Sequence, residues 1–148
     1  MARGLYTLEV TLLSGCGWQF STGDDNHASR VIEIRGDQNL QYLHVAIERA
    51  FDRTNGDHMY EFQMASAPEH RRDKARPKIR PFSGDRRTVE MDLDAAIDRL
   101  GLEVRDRFWY CYDFGDCWEH RIVVKAVGEA DPGIKYPRVT ERIGRSPV

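Results

Sequence analysis

Phe108-Trp109-Tyr110-Cys111-Tyr112-Asp113-Phe114-Gly115-Asp116-Cys117-Trp118-Glu119-His120-Arg121-Ile122 is the stretch that decides how this chain folds. Phe108, Tyr110, Tyr112 and Phe114 recur at every second position, so they share one face of a strand. Gly115-Asp116 marks a turn, and Trp118, His120, Ile122, Val124 and Ala126 alternate along a return strand. The stretch therefore reads as a β-hairpin with one aromatic and aliphatic face. Such a face must be buried against a second layer.

The second layer is visible upstream. Leu40, Leu43, Ile47, Ala50 and Phe51 fall at helical spacing, with Asp37 or Asn39 able to cap the start and Asn55-Gly56-Asp57 to stop it. Residues 58–64 read as a strand with Tyr60, Phe62 and Met64 on its inner face. Residues 5–13 and 30–35 read as two further strands joined by a loop over 14–29. A short helix is expected over Leu93–Leu100, ended by Gly101. Asp131-Pro132-Gly133 closes the return strand, and residues 136–148 read as an irregular tail. The expected fold is α+β: a single domain over residues 1–148, in the order ββαβ–loop–αββ. Its sheet is mixed but mostly antiparallel, with helices on one face.

Composition narrows the class. Of 148 residues, 41% are hydrophobic and 31% charged, which fits a folded domain rather than a disordered chain. No apolar run approaches the ~20 residues of a membrane helix, and the N-terminus shows no secretory signal. Cys16, Cys111 and Cys117 are an odd set with no CxxC pair, so reduced thiols and a cytoplasmic location are expected. Net charge is only −2, but it is unevenly spread. Ser66–Thr88 carries +5 and the rest of the chain −7. This segment, with Arg71, Arg72, Lys74, Arg76, Lys78 and Arg80 among its basic residues and Pro68, Pro77 and Pro81 breaking it, is expected to be a mobile loop at about 66–88. It is the candidate anion-binding element.

The hairpin pattern F-x-Y-x-Y-D-F-G-D-x-W-x-H-x-I resembles the plasmid pRi ORF-three-like family, members of which also occur as an insertion-element passenger labelled TnpR. Other parts match in order: Arg30 to Ile34, Gly36-Asp37, Leu43-His44, His58-Met59-Tyr60-Glu61-Phe62, Leu100-Gly101-Leu102 and Tyr136-Pro137-Arg138-Val139. The loop over 14–29 departs from the family pattern. The resemblance implies an α+β fold and a frequent link to mobile elements, and supplies neither an established activity nor catalytic residues.

Asp113, Asp116 and His120 are close together around the hairpin, and His58 and His44 can approach from the third strand and the helix. Mixed oxygen and nitrogen donors suit zinc or another transition ion, but no HxxxH spacing accompanies them. The competing reading is a buried polar network in which each group finds a partner. Asp113-Phe114-Gly115 lacks every other part of a kinase site. Nothing orients a base toward Cys111 or Cys117. Thr140 stands where a serine recombinase would need its nucleophile. The aromatic stripe alternates at strand period and belongs to the core rather than to a base-stacking surface. The sequence thus points to a non-enzymatic domain, without a cofactor, that binds a macromolecule: nucleic acid, another protein or a mobile-element-associated complex. The alternative is a small metal-dependent enzyme with its site at the hairpin. No membrane partner is expected.

Overall fold

The computed structural model describes residues 4–15, 18–19, 28–52, 60–64, 93–112 and 118–144. Seven strands among them form one sheet. They are β1 (Gly4–Gly15), β2 (Trp18–Gln19), β3 (Ser29–Arg35), β4 (Tyr60–Met64), β5 (Arg107–Tyr112), β6 (Trp118–Glu129) and β7 (Arg138–Ile143). The spatial order is β4-β5-β6-β1-β3-β7, with β2 paired to the end of β1. Helix α1 (Leu40–Ala50) connects β3 to β4. The fold is α+β, as expected. Among the described residues no helix is long and apolar enough to cross a membrane.

Alternation builds the core. Tyr6, Leu8, Val10 and Leu12 of β1 lie on one face of the sheet and are buried. Ile32 and Ile34 of β3, Phe108 and Tyr110 of β5, and Ile122 and Val124 of β6 join them. Leu40, Leu43, Ile47 and Ala50 form the buried stripe of α1 that covers this face. Each fully buried Leu, Ile or Phe contributes about 1.5–3 kcal/mol. Asn39 caps the helix: its Oδ1 accepts from the Tyr42 backbone N–H at 3.0 Å. Asp37 instead bonds Arg35 at 2.9 Å.

Four expectations are corrected. Every strand pairing among the described residues is antiparallel, so the sheet is not mixed. The loop expected over 14–29 contains β2, a two-residue strand folded back on β1. The helix expected over Leu93–Leu100 is only a 3₁₀ turn at Ile97–Leu100. Ala96 is held extended by a bridge to Asn39, which blocks any earlier start. Gly101, at φ 65°, ends the turn. Finally, part of the tail expected to be irregular is strand β7, paired along β3. Val31 opposes Glu141 and Ile32 opposes Val139, so Thr140 is an extra, bulged residue. The element order is therefore ββ–βαβ, a 3₁₀ turn, then βββ.

Two polar clamps fix the ends of the sheet. Tyr6 donates its hydroxyl to Asp98 Oδ1 at 2.9 Å, and the Asp98 N–H donates to the Gly36 carbonyl. A Cβ on Gly36 would collide with the Asp98 carboxylate, so the residue there must be glycine while the clamp is closed. Burial, and then the bond to Asp98, push the Tyr6 phenol up to about 12. Gln38 forms the other clamp. It accepts from the Arg35 N–H and donates to the Tyr136 carbonyl at 2.7 Å, joining the β3–α1 turn to the segment before β7.

Candidate functional site

His44 and Glu48 stand four residues apart on α1, so they project from the same side of the helix. That side meets Tyr110 of β5. His44 Nδ1 lies 2.6 Å from the Tyr110 hydroxyl, and that hydroxyl donates to Glu48 Oε2 at 3.1 Å. All three side chains are buried. Tyr60 of β4 lies flat on the His44 ring, with centroids 3.5 Å apart and planes within 3°. Burial raises the Tyr60 phenol above its ordinary value. Tyr112 closes the group, its ring centroid 6.2 Å from that of His44.

Register places the second histidine. Tyr110 pairs directly with His120 across β5 and β6. His120 is fully enclosed, and its Nδ1 is 3.2 Å from the Tyr110 backbone carbonyl. Phe51, just past the end of α1, meets the His120 ring edge-on at 5.1 Å. Tyr110 thus touches both described histidines of the expected cluster: His44 through its hydroxyl, His120 through its main chain.

Asp113, Asp116 and His58 lie outside the described residues, as do Arg71, Arg72, Lys74, Arg76, Lys78 and Arg80. Among the described residues no three His, Cys, Asp or Glu side chains are grouped to hold a metal ion. Cys111 is buried on β5.

Sequence reasoning missed Glu48 and Tyr60 as polar partners and assigned Tyr110 to the core alone. The available signal was the four-residue spacing from His44 to Glu48 in a helix that also carries Leu43 and Ile47. It also missed Arg30. This guanidinium is buried beneath the end of α1 and donates through Nε to the Ala50 carbonyl at 2.7 Å. Through Nη1 it reaches the carbonyls of Ser29, Ile143 and Gly144. It also lies 4.8 Å above the Phe51 ring. Burial lowers its affinity for the proton, the neighbouring Arg142 adds to that, and Asp52 opposes it.

Among the described residues, an antiparallel sheet covered by helix α1, with a histidine–tyrosine–glutamate group between them, defines an α+β fold with a polar centre inside its core. The chain belongs to the plasmid pRiA4b ORF-3-like family, whose sequence model matches residues 22–148. Its structure is similar to the crystal structure of a protein of unknown function from Methanosarcina mazei Go1. The two share 18% identity and a TM-score of 0.63, over 96% of this chain and 70% of that one. At that identity the likeness is one of fold. No curated protein matches the chain.

Proposed function

We propose that this is a non-enzymatic binding domain that engages a macromolecular partner, nucleic acid foremost, through its basic segment. The observation that carries the reading is charge segregation: Ser66–Thr88 holds +5 in a chain of net charge −2. A segment of that density attracts a phosphate backbone regardless of sequence. The residues flanking it are well anchored. Met64 is paired with Phe108 on the outermost strand β4, and the Leu93 carbonyl accepts from the Gln41 N–H at the start of α1. A basic segment tethered at one end to the sheet and at the other to helix α1 loses less freedom on binding than a free tail.

The test is fluorescence anisotropy with single-stranded DNA, duplex DNA and RNA across a salt series. Binding is expected at low salt, with affinity falling linearly in the logarithm of salt concentration. Changing Arg71, Arg72, Lys74 and Arg76 together to Gln flattens that slope by roughly 3 units if each contacts one phosphate. Absence of binding to all three probes at low salt sinks the proposal.

A further inference from the structure

Resting on the nucleic-acid reading, we propose that the outward face of α1 is a stacking surface for an unpaired base, with Tyr42 as its platform and Arg49 beside it for a phosphate, so that the ligand is a single strand rather than a duplex. Of the eleven residues of α1, seven are buried. The other four, Gln41, Tyr42, Val45 and Arg49, are exposed and share one arc of about 100° around the helix axis. A surface helix ordinarily gives that side to charged and polar residues. Here half of it is apolar: Tyr42 is 54% exposed and Val45 42%. The two stand three residues apart, so their side chains adjoin.

Three observations select the occupant. Among the described residues neither a ring nor a hydrogen bond engages the Tyr42 side chain; its backbone N–H alone is bonded, to the Asn39 cap, which fixes the start of the helix that carries the ring. Arg49, about 10 Å further along the same arc, has no acidic partner among the described residues, and the arc itself holds no carboxylate. Nearby acids are engaged elsewhere: Asp37 bonds Arg35, and Asp94 is likewise not free. The third observation is where the chain re-enters. The Leu93 carbonyl accepts from the Gln41 N–H at 3.3 Å, so the chain that follows the basic segment joins this face at its first residue. Thr88 is five residues before Leu93, at most about 18 Å of extended chain. Phosphates drawn by the basic segment are thus brought within reach of an open tyrosine and an unpaired arginine. A duplex hides its base faces in its own stack, whereas a single strand presents them to an aromatic side chain whatever its sequence.

Anisotropy of the full chain with labelled oligo-dT and with a mixed-sequence duplex, each across a salt series, tests this. Tyr42→Ala should weaken single-strand binding roughly tenfold at every salt concentration. It should leave the salt slope and the duplex affinity unchanged, because stacking releases no counterions. Tyr42→Phe keeps the ring and should bind like wild type. Arg49→Gln should flatten the single-strand slope by about 0.7. Both positions are exposed, so these variants leave the core intact. Single-strand affinity unchanged in Tyr42→Ala overturns the proposal and leaves the face to an apolar protein partner, with the nucleic-acid reading standing. Equal losses on single strand and duplex also overturn it, as does an unchanged slope for Arg49→Gln. Wild-type protein that binds neither probe at low salt defeats the nucleic-acid reading itself, and this proposal with it.

Discussion

Arg30 and Glu48 are both buried beside α1, at 3% and 7% exposure, yet they are held in opposite ways. Arg30 donates to four backbone carbonyls at the junction of β3, β7 and the end of the helix. Two of those acceptors, Ala50 and Ile143, are the last residues of α1 and β7. A helix leaves its final carbonyls without intrahelical donors, and a cation there is favoured by the helix dipole as well. Glu48 accepts from a side chain, Tyr110, which in turn contacts another side chain, His44. The first arrangement has one proton configuration and one purpose, to tie three chain segments together. The second links three side chains across the boundary between α1 and β5. A buried charge bonded to main chain stabilises the fold. A buried carboxyl bonded through a hydroxyl to an imidazole ties one helix face to one strand through side chains alone.

The contrast is most exposed to refutation at Arg30. Arg30→Met keeps much of the volume and removes the guanidinium donors from four carbonyls. We expect a loss of about 3–5 kcal/mol in denaturant unfolding, comparable to breaking a buried ion pair. A loss below about 1 kcal/mol would show that the carbonyls find water and that Arg30 is not the tie described.

A smaller effect is expected at Tyr6, whose partner is a carboxylate but whose clamp involves no histidine. Its phenol is raised to about 12 in the folded chain, against 10.0 ordinarily. The unfolded chain therefore releases this proton first. The contribution is intact below about pH 10 and is lost as pH rises from 10 towards 12. The wild-type unfolding midpoint should fall with pH in that window more steeply than that of Tyr6→Phe. Equal slopes would refute the assignment.

The smallest effect is expected on the opposite face of the sheet, at Arg121. Its Nε is buried and has no hydrogen-bond partner among the described residues. Arg121→Met removes that cost and keeps the apolar stem, so stability should rise by no more than about 1 kcal/mol. A loss of more than about 1 kcal/mol in thermal unfolding would mean that the guanidinium is satisfied after all.

Legibility in the sequence has the same physical origin. The hairpin, α1 and the strands around 5–13 and 30–35 are legible because their apolar residues repeat at strand or helix period. Asn39 is legible as a cap because its side chain is short and polar just before a helical stripe. β7 is not, because Arg138-Val139-Thr140-Glu141-Arg142-Ile143 is an exposed edge strand whose period is broken by the bulge at Thr140. Of the candidate cluster, His44 and His120 are brought to one tyrosine, whereas Asp113, Asp116 and His58 lie beyond the described residues. Glu48 and Arg30 are hidden from sequence reasoning because charged side chains are ordinarily outside. Only tertiary structure supplies the hydroxyl and the carbonyls that let them in.

The bulge at Thr140 also governs how the sheet meets other molecules. An outermost strand with regular pleat offers a row of N–H and C=O groups on which a second chain can assemble. β7 has one residue too many for its partner, and Thr140, Glu141 and Arg142 around that point are exposed. Arg138 is drawn back onto Glu33 of β3 at 2.6 Å. An incoming strand would meet a broken hydrogen-bonding rhythm and charges of both signs, features that work against edge-to-edge pairing at β7. The irregularity that hid this strand in the sequence is what makes it a safe place for the sheet to end.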